Sequence, residues 1–161
     1  MKALVLESLY VEKKNFFKNI KKLQNEKEIL IEKYIPGREI QVAILGKRKL
    51  GAIELVPKRK FYDYQAKYNK SAKTKHIIPV NISKMNYDKV TNIALRAHKL
   101  LKCRGVTRSD FRFYKNKFYL LETNTQPGMT SLSLVPEIAR YRNISFNNLI
   151  KKILDDASIN K

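Results

Sequence analysis

A chain of 161 residues, 43% of them hydrophobic, can bury one domain core, and no run in it approaches the roughly 20 apolar residues of a membrane span. The 34 basic residues against 14 acidic ones give a net charge of +20, yet they are mostly lysine, scattered, and accompanied by an excess of Ile and Asn. That is the composition an AT-rich coding sequence leaves on solvated faces, so neither nucleic acid nor a membrane is the expected partner, although the charge attracts anions at long range.

Phe16, Phe17, Ile20 and Leu23 recur at helical spacing and predict an amphipathic helix over residues 12 to 25. Residues 28 to 35 read as a strand stopped by Pro36-Gly37. Ile40, Val42 and Ile44 alternate in a second strand, and residues 50 to 56 form a third after a turn at Gly46 to Lys49. Residues 57 to 76, rich in Lys, Arg and Tyr without a period, read as a long loop. Val90, Ile93, Ala94, Ala97, Leu100 and Leu101 predict a helix that ends near Gly105. Residues 106 to 114 and 118 to 124 are two strands around Lys115-Asn116-Lys117, and a last amphipathic helix runs from Phe146 to Asp155 with Ser145 as N-cap. The interleaving predicts an α+β fold with mostly antiparallel pairing. The single cysteine, Cys103, excludes an internal disulfide, and Met1 to Val11 is too short and polar for a secretion signal, so a cytoplasmic location is expected.

Chemistry concentrates at the end of the second hairpin strand. Glu122 and Asn124 sit two apart, so both point to one face of a strand. Pro127-Gly128 then turns the chain into a Ser/Thr-rich segment able to hold an anion. Whether Asp110 joins the two acceptors depends on the turn, because a one-residue slip exchanges faces. A two-residue turn at Lys115-Asn116 sets Asp110 opposite Leu121 and separates the acids. A three-residue turn pairs Asp110 with Glu122 and Arg108 with Asn124, with Phe118, Leu120, Glu122 and Asn124 all on one face. The three-residue register gathers three oxygen ligands beside an arginine, which suits Mg²⁺ shared with phosphate rather than Zn²⁺. The competing reading is a solvated sheet face on which Asp110 and Glu122 are salt-bridged to Arg108 and Arg112.

Four blocks then carry a resemblance: Glu32-Lys33-Tyr34-Ile35-Pro36-Gly37-Arg38-Glu39, Phe61-Tyr62-Asp63-Tyr64-Gln65-Ala66-Lys67-Tyr68, Arg108-Ser109-Asp110-Phe111, and Leu121 through Pro136. In this order they resemble the C-terminal part of D-alanine–D-alanine ligases, members of the ATP-grasp superfamily, over residues 28 to about 150. The resemblance implies a mostly antiparallel ATP-grasp half with packed helices. It also implies transfer of ATP's γ-phosphate to one D-alanine, attack on the acylphosphate by the amine of a second, and a product used in peptidoglycan precursor synthesis. Asp110, Glu122 and Asn124 match the family's ligands for two magnesium ions, with Mn²⁺ as an alternative ion. Arg108 and the backbone N–H of Gly128 match the groups that stabilise the tetrahedral oxyanion. Glu32, Lys33 and Ile35 match the adenine-binding strand, and Glu39 the ribose acceptor. Lys67 and Tyr68 match a mobile loop that closes over phosphates and substrate, and Ser133 and Leu134 the holders of the second D-alanine's carboxylate.

Upstream of residue 28 the family carries a D-alanine-binding domain, a glycine-rich loop over the phosphates and two lysines that grip them. This sequence has five glycines and no Gly-Ser-Ser-type run before residue 28. The expectation is a partial ATP-grasp domain over residues 1 to 161, working as a truncated or split ligase with a separately encoded N-terminal half. An inactive remnant, and a nucleotide- or nucleic-acid-binding module without ligase activity, stand as alternatives. Acceptor specificity and a homodimer are left open.

Overall fold

The computed structural model describes residues 11, 13–25, 27–57 and 74–157. The chain divides into two compact units, one of residues 1–35 and 57–74 and the other of residues 36–56 and 75–161. In the first unit a 3-10 turn, Lys13–Asn15, leads into helix α1, Phe16–Lys22, which is shorter than the spacing predicts. The expected strand over residues 28 to 35 does not form: no described residue pairs with it, and Ile29, Leu30 and Ile31 are exposed. Apolar residues make a strand only where a neighbour takes up the backbone hydrogen bonds, and none does so among the described residues.

The second unit is a five-stranded antiparallel sheet in the order β3-β2-β1-β4-β5 with helices on both faces. Its strands are β1 (Arg38–Leu45), β2 (Arg48–Val56), β3 (Lys75–Ile77), β4 (Val106–Tyr114) and β5 (Lys117–Asn124). Strand β3 occupies the end of the stretch read as loop, and residues 58–73 of that stretch lie outside the described residues. Gly37 opens β1 with φ +109°, and a Cβ there would collide with the carbonyl oxygen of Phe113, so only glycine fits.

One sheet face carries Ile40, Val42, Ile44 and Phe111, which pack with Ala52, Val80, Val90 and Ala94. The last two come from helix α2, Lys84–Leu100, whose N-cap Ser83 accepts from Asn86 N–H. The helix stops at Leu101, ahead of Lys102 at φ 51° and Gly105 at φ 62°. The opposite face is split along its length. Its apolar end, with Ala43, Leu45, Ile53 and Val106, is covered by Val135, Ile138 and Ala139 of helix α3 (Leu134–Tyr141) and Leu149 of helix α4 (Phe146–Asp156). Helix α4 begins as expected, with Ser145 Oγ accepting from Asn148 N–H. Helix α3 is missing from the sequence reading, although Val135, Ile138 and Ala139 have i, i+3, i+4 spacing and Pro136 is tolerated in a first turn. The other end of this face is polar, with Glu39 and Gln41 of β1 beside Arg108, Asp110 and Arg112 of β4. No helix among the described residues is long and apolar enough to cross a membrane.

Candidate active site

The β4–β5 hairpin builds the polar end by a route the sequence did not suggest. Its turn has two residues, Lys115 at φ 46° and Asn116 at φ 59°, and Tyr114 pairs directly with Lys117. Both central residues are left-handed, the geometry that follows strand twist. The three-residue turn is therefore incorrect, and the two-residue turn alone would have set Asp110 opposite Leu121. A β-bulge intervenes. Phe111 pairs with Leu120, but the next pair is Asp110 with Glu122, leaving Leu121 as the extra residue. Asp110–Glu122, Ser109–Thr123 and Arg108–Asn124 then continue in register.

The bulge also corrects the face assignment. Phe118 stacks on Phe113 and meets Phe111 edge-on, so Phe118 and Leu120 share the α2 side. Glu122 and Asn124 lie on the opposite side, with Asp110 and Arg108. One inserted residue thus turns Phe118 and Leu120 of β5 to the α2 side and Glu122 and Asn124 to the polar face.

On that face the charges are paired. Arg108 Nε donates to Asp110 Oδ1 at 2.8 Å and its Nη2 to Oδ2 at 3.1 Å, while Glu122 Oε1 is 3.7 Å from Nη2. Asp110 is buried, whereas the Glu122 side chain is 58% exposed. Asn124 Oδ1 accepts from Gln126 N–H at 2.9 Å, which fixes its oxygen at the start of the Pro127-Gly128 segment. One step across the sheet, Glu39 Oε2 meets Arg112 Nη2 at 3.3 Å, and Arg112 Nη1 donates to the Gly37 carbonyl at 3.2 Å. Of the two salt-bridge partners considered, Arg108 takes Asp110 and approaches Glu122, while Arg112 takes Glu39. Gln41 stands between, opposite Asp110 in the ladder, with its Nε2 3.4 Å from Glu39 Oε1. Neither Gln41 nor Arg112 was singled out as a site residue. The alternation that sends Ile40 and Val42 to the core also sends Glu39 and Gln41 to this face, and that was the available signal.

The Ser/Thr segment closes on itself. Ser133 Oγ accepts from Thr130 N–H at 2.9 Å and lies 2.9 Å from Thr130 Oγ1, instead of capping α3. A Cβ on Gly128 would come within 3.0 Å of that Oγ, so the glycine permits the close approach. Leu134 is the first residue of α3, where backbone N–H groups lack intrahelical partners.

The second unit therefore brings Arg108, Asp110, Glu122, Asn124 and Glu39 to one sheet face, and Gly128, Ser133 and Leu134 to the segment that leaves it. Glu32, Lys33 and Ile35 belong to the first unit, in a stretch without helix or strand, with Glu32 and Lys33 exposed. Lys67 and Tyr68 lie outside the described residues. Among the described residues no group of three or more His, Cys, Asp or Glu side chains converges as a metal site; the face offers two carboxylates and an amide oxygen.

Residues 11–155 match the family described as D-ala D-ala ligase C-terminus. A D-alanine–D-alanine ligase of Pelagibacter ubique is 66% identical over 150 residues, covering 93% of this chain and 49% of that protein. One of Bartonella bacilliformis is 49% identical over 135 residues, covering 81% and 44%. Among solved structures, D-alanine–D-alanine ligase from Bacillus anthracis complexed with ATP matches with a TM-score of 0.76 at 28% identity, over 92% of this chain and 49% of that one. The Coxiella burnetii enzyme matches with a TM-score of 0.75 at 25% identity, over 92% and 40%. The chain spans about half the length of the relatives it matches. With a match running through nearly all of its sequence and the same antiparallel sheet and packed helices, this chain belongs to the D-alanine–D-alanine ligase C-terminal family and has the fold of the ATP-grasp C-terminal half.

Proposed function

We propose that this chain forms the metal- and acceptor-binding wall of an ATP-dependent D-alanine–D-alanine ligase, acting with the N-terminal half found in its full-length relatives to make the dipeptide used in peptidoglycan precursors. The observation that carries the reading is the Leu121 bulge, which sets Asp110 and Glu122 opposite each other with Arg108 and Asn124 alongside. The donor set fits magnesium: two carboxylates and an amide oxygen, with no His or Cys among them. Magnesium held there would neutralise phosphate oxygens during transfer.

The chain's own residues would do the rest. Arg108 rests on Asp110 in the structure, and once that carboxylate is shared its guanidinium becomes available for the oxyanion formed when the second amine attacks. The Gly128 N–H donates to the same oxygen. Ser133 Oγ and the Leu134 N–H at the start of α3 would hold the second D-alanine's carboxylate, an anion placed where a helix N-terminus favours it. Glu39 accepts from ribose hydroxyls, and Glu32, Lys33 and Ile35 meet adenine through backbone groups. Lys67 and Tyr68 close over phosphates and substrate and exclude water.

The test is direct at the metal. Mn²⁺ binding in the presence of ATP, read by electron paramagnetic resonance on the chain mixed with an N-terminal half, should weaken about tenfold or more in Asp110→Asn or Glu122→Gln. Unchanged Mn²⁺ affinity in both variants would sink the assignment.

A further inference from the structure

The polar end of the sheet contains, among the described residues, a fully buried polar side chain that the proposed reaction does not use. Gln41 sits on β1 between Ile53 of β2 and Asp110 of β4, is 0% exposed, and its Oε1 has no hydrogen-bond donor among the described residues. A buried amide oxygen without a donor destabilises a fold, and native proteins retain few. The amide cannot gain by flipping, because Nε2 faces Glu39 Oε1 at 3.4 Å and a flip would set oxygen against carboxylate oxygen. The other Glu39 oxygen is gripped by Arg112, itself tied to the Gly37 carbonyl. Glu39 is therefore held at both oxygens, and Gln41, which holds one of them, keeps an unmet acceptor at an energetic disadvantage.

We infer that Gln41 is a positioning residue for recognition of a nucleotide's ribose hydroxyls, a role that rests on the assignment of Glu39 to ribose made above. Its N–H fixes the rotation of the Glu39 carboxylate, so that the carboxylate meets a vicinal diol in a preset orientation. Its carbonyl, shut off from solvent, makes no contact with the nucleotide; the unmet acceptor is what aiming the amide N–H at Glu39 costs the fold. An apolar residue of similar size would suit the isolated fold better and the nucleotide worse. This opposition separates a functional role from a structural one.

The experiment titrates Mg²⁺ with ATP, 2′-deoxy-ATP and 3′-deoxy-ATP into the chain combined with an N-terminal half, and records the melting temperature of each variant. The unaltered protein should prefer ATP over at least one deoxy analogue. Gln41→Leu should narrow that preference about fivefold, the worth of a neutral hydrogen bond, while its melting temperature holds or rises. Gln41→Met, closer in shape, is read the same way if the leucine variant does not fold. An unchanged preference overturns the inference, as does parallel weakening of all three nucleotides. Failure of the underlying assignment looks different: the unaltered protein then binds ATP and both analogues equally, and the ribose reading of Glu39 falls together with the role of Gln41.

Discussion

Asp110 and Glu122 face each other across a ladder, yet their surroundings assign them different energetic roles. Asp110 is buried and takes two close hydrogen bonds from Arg108, whose side chain is only 15% exposed. Glu122 is largely solvated and stands 3.7 Å from the same guanidinium. Asp110→Ala should therefore lower the unfolding free energy by about 3 kcal/mol, whereas Glu122→Gln should stay within about 0.5 kcal/mol of the unaltered chain. Urea unfolding of the two variants checks this, and equal stabilities would mean that the buried pair contributes nothing. At this scale the sequence was readable where spacing alone decides a face, as for Glu122 and Asn124. At Gln41 the alternation marks the face it shares with Glu39, but a glutamine in a strand gives no sign that it will be fully buried.

At the scale of elements, the periodic segments formed where they were expected: β1, β2, α2, β4, β5 and α4 each join a buried apolar set that their sequence marks out. The failures have local causes: a strand's pairing partner is not written into the segment, and a short helix is masked by neighbouring turn residues. Residues 28 to 35 have strand composition without a described neighbour to pair with, and α3 is eight residues whose short apolar pattern lay inside a segment rich in turn signals. The hairpin is the instructive case. Its turn and its bulge each shift the register by one, and only their combination returns Asp110 to Glu122.

Helix α2 and strand β4 are joined by a buried contact with a pH signature. His98 Nδ1 lies 2.9 Å from Thr107 Oγ1, and burial holds its imidazole below the usual range, against the opposing influence of the Asp156 charge and the Cys103 backbone. With the folded value depressed, the unfolded chain takes up the proton first as pH falls. The neutral ring's contribution is therefore complete above about pH 6.5 and declines below it. The melting temperature should fall between pH 7 and pH 5, and His98→Gln should flatten part of that fall. An identical slope in the variant would show that His98 is not responsible.

For the whole molecule, the division of labour follows from one sheet with an asymmetric face. Helices α3 and α4 seal its apolar end, and the polar end is left to Arg108, Asp110, Arg112, Glu39, Gln41, Glu122 and Asn124. The net charge of +20, the most conspicuous property of the composition, pointed nowhere near this arrangement, because it counts residues without placing them. Arg108 and Asp110, Glu122 and Asn124, and Glu39 come from three of the quoted blocks, and the ladder explains why residues distant in sequence meet there. We propose that this face is the catalytic wall of a D-alanine–D-alanine ligase. The most direct test is D-alanine-dependent ADP release from Mg²⁺-ATP by the chain combined with a family N-terminal half. Release should require D-alanine and fall by about a hundredfold or more in Arg108→Met, the loss expected when a preorganised oxyanion donor is removed. Absence of D-alanine-dependent release from the folded mixture, or undiminished release in Arg108→Met, would contradict it.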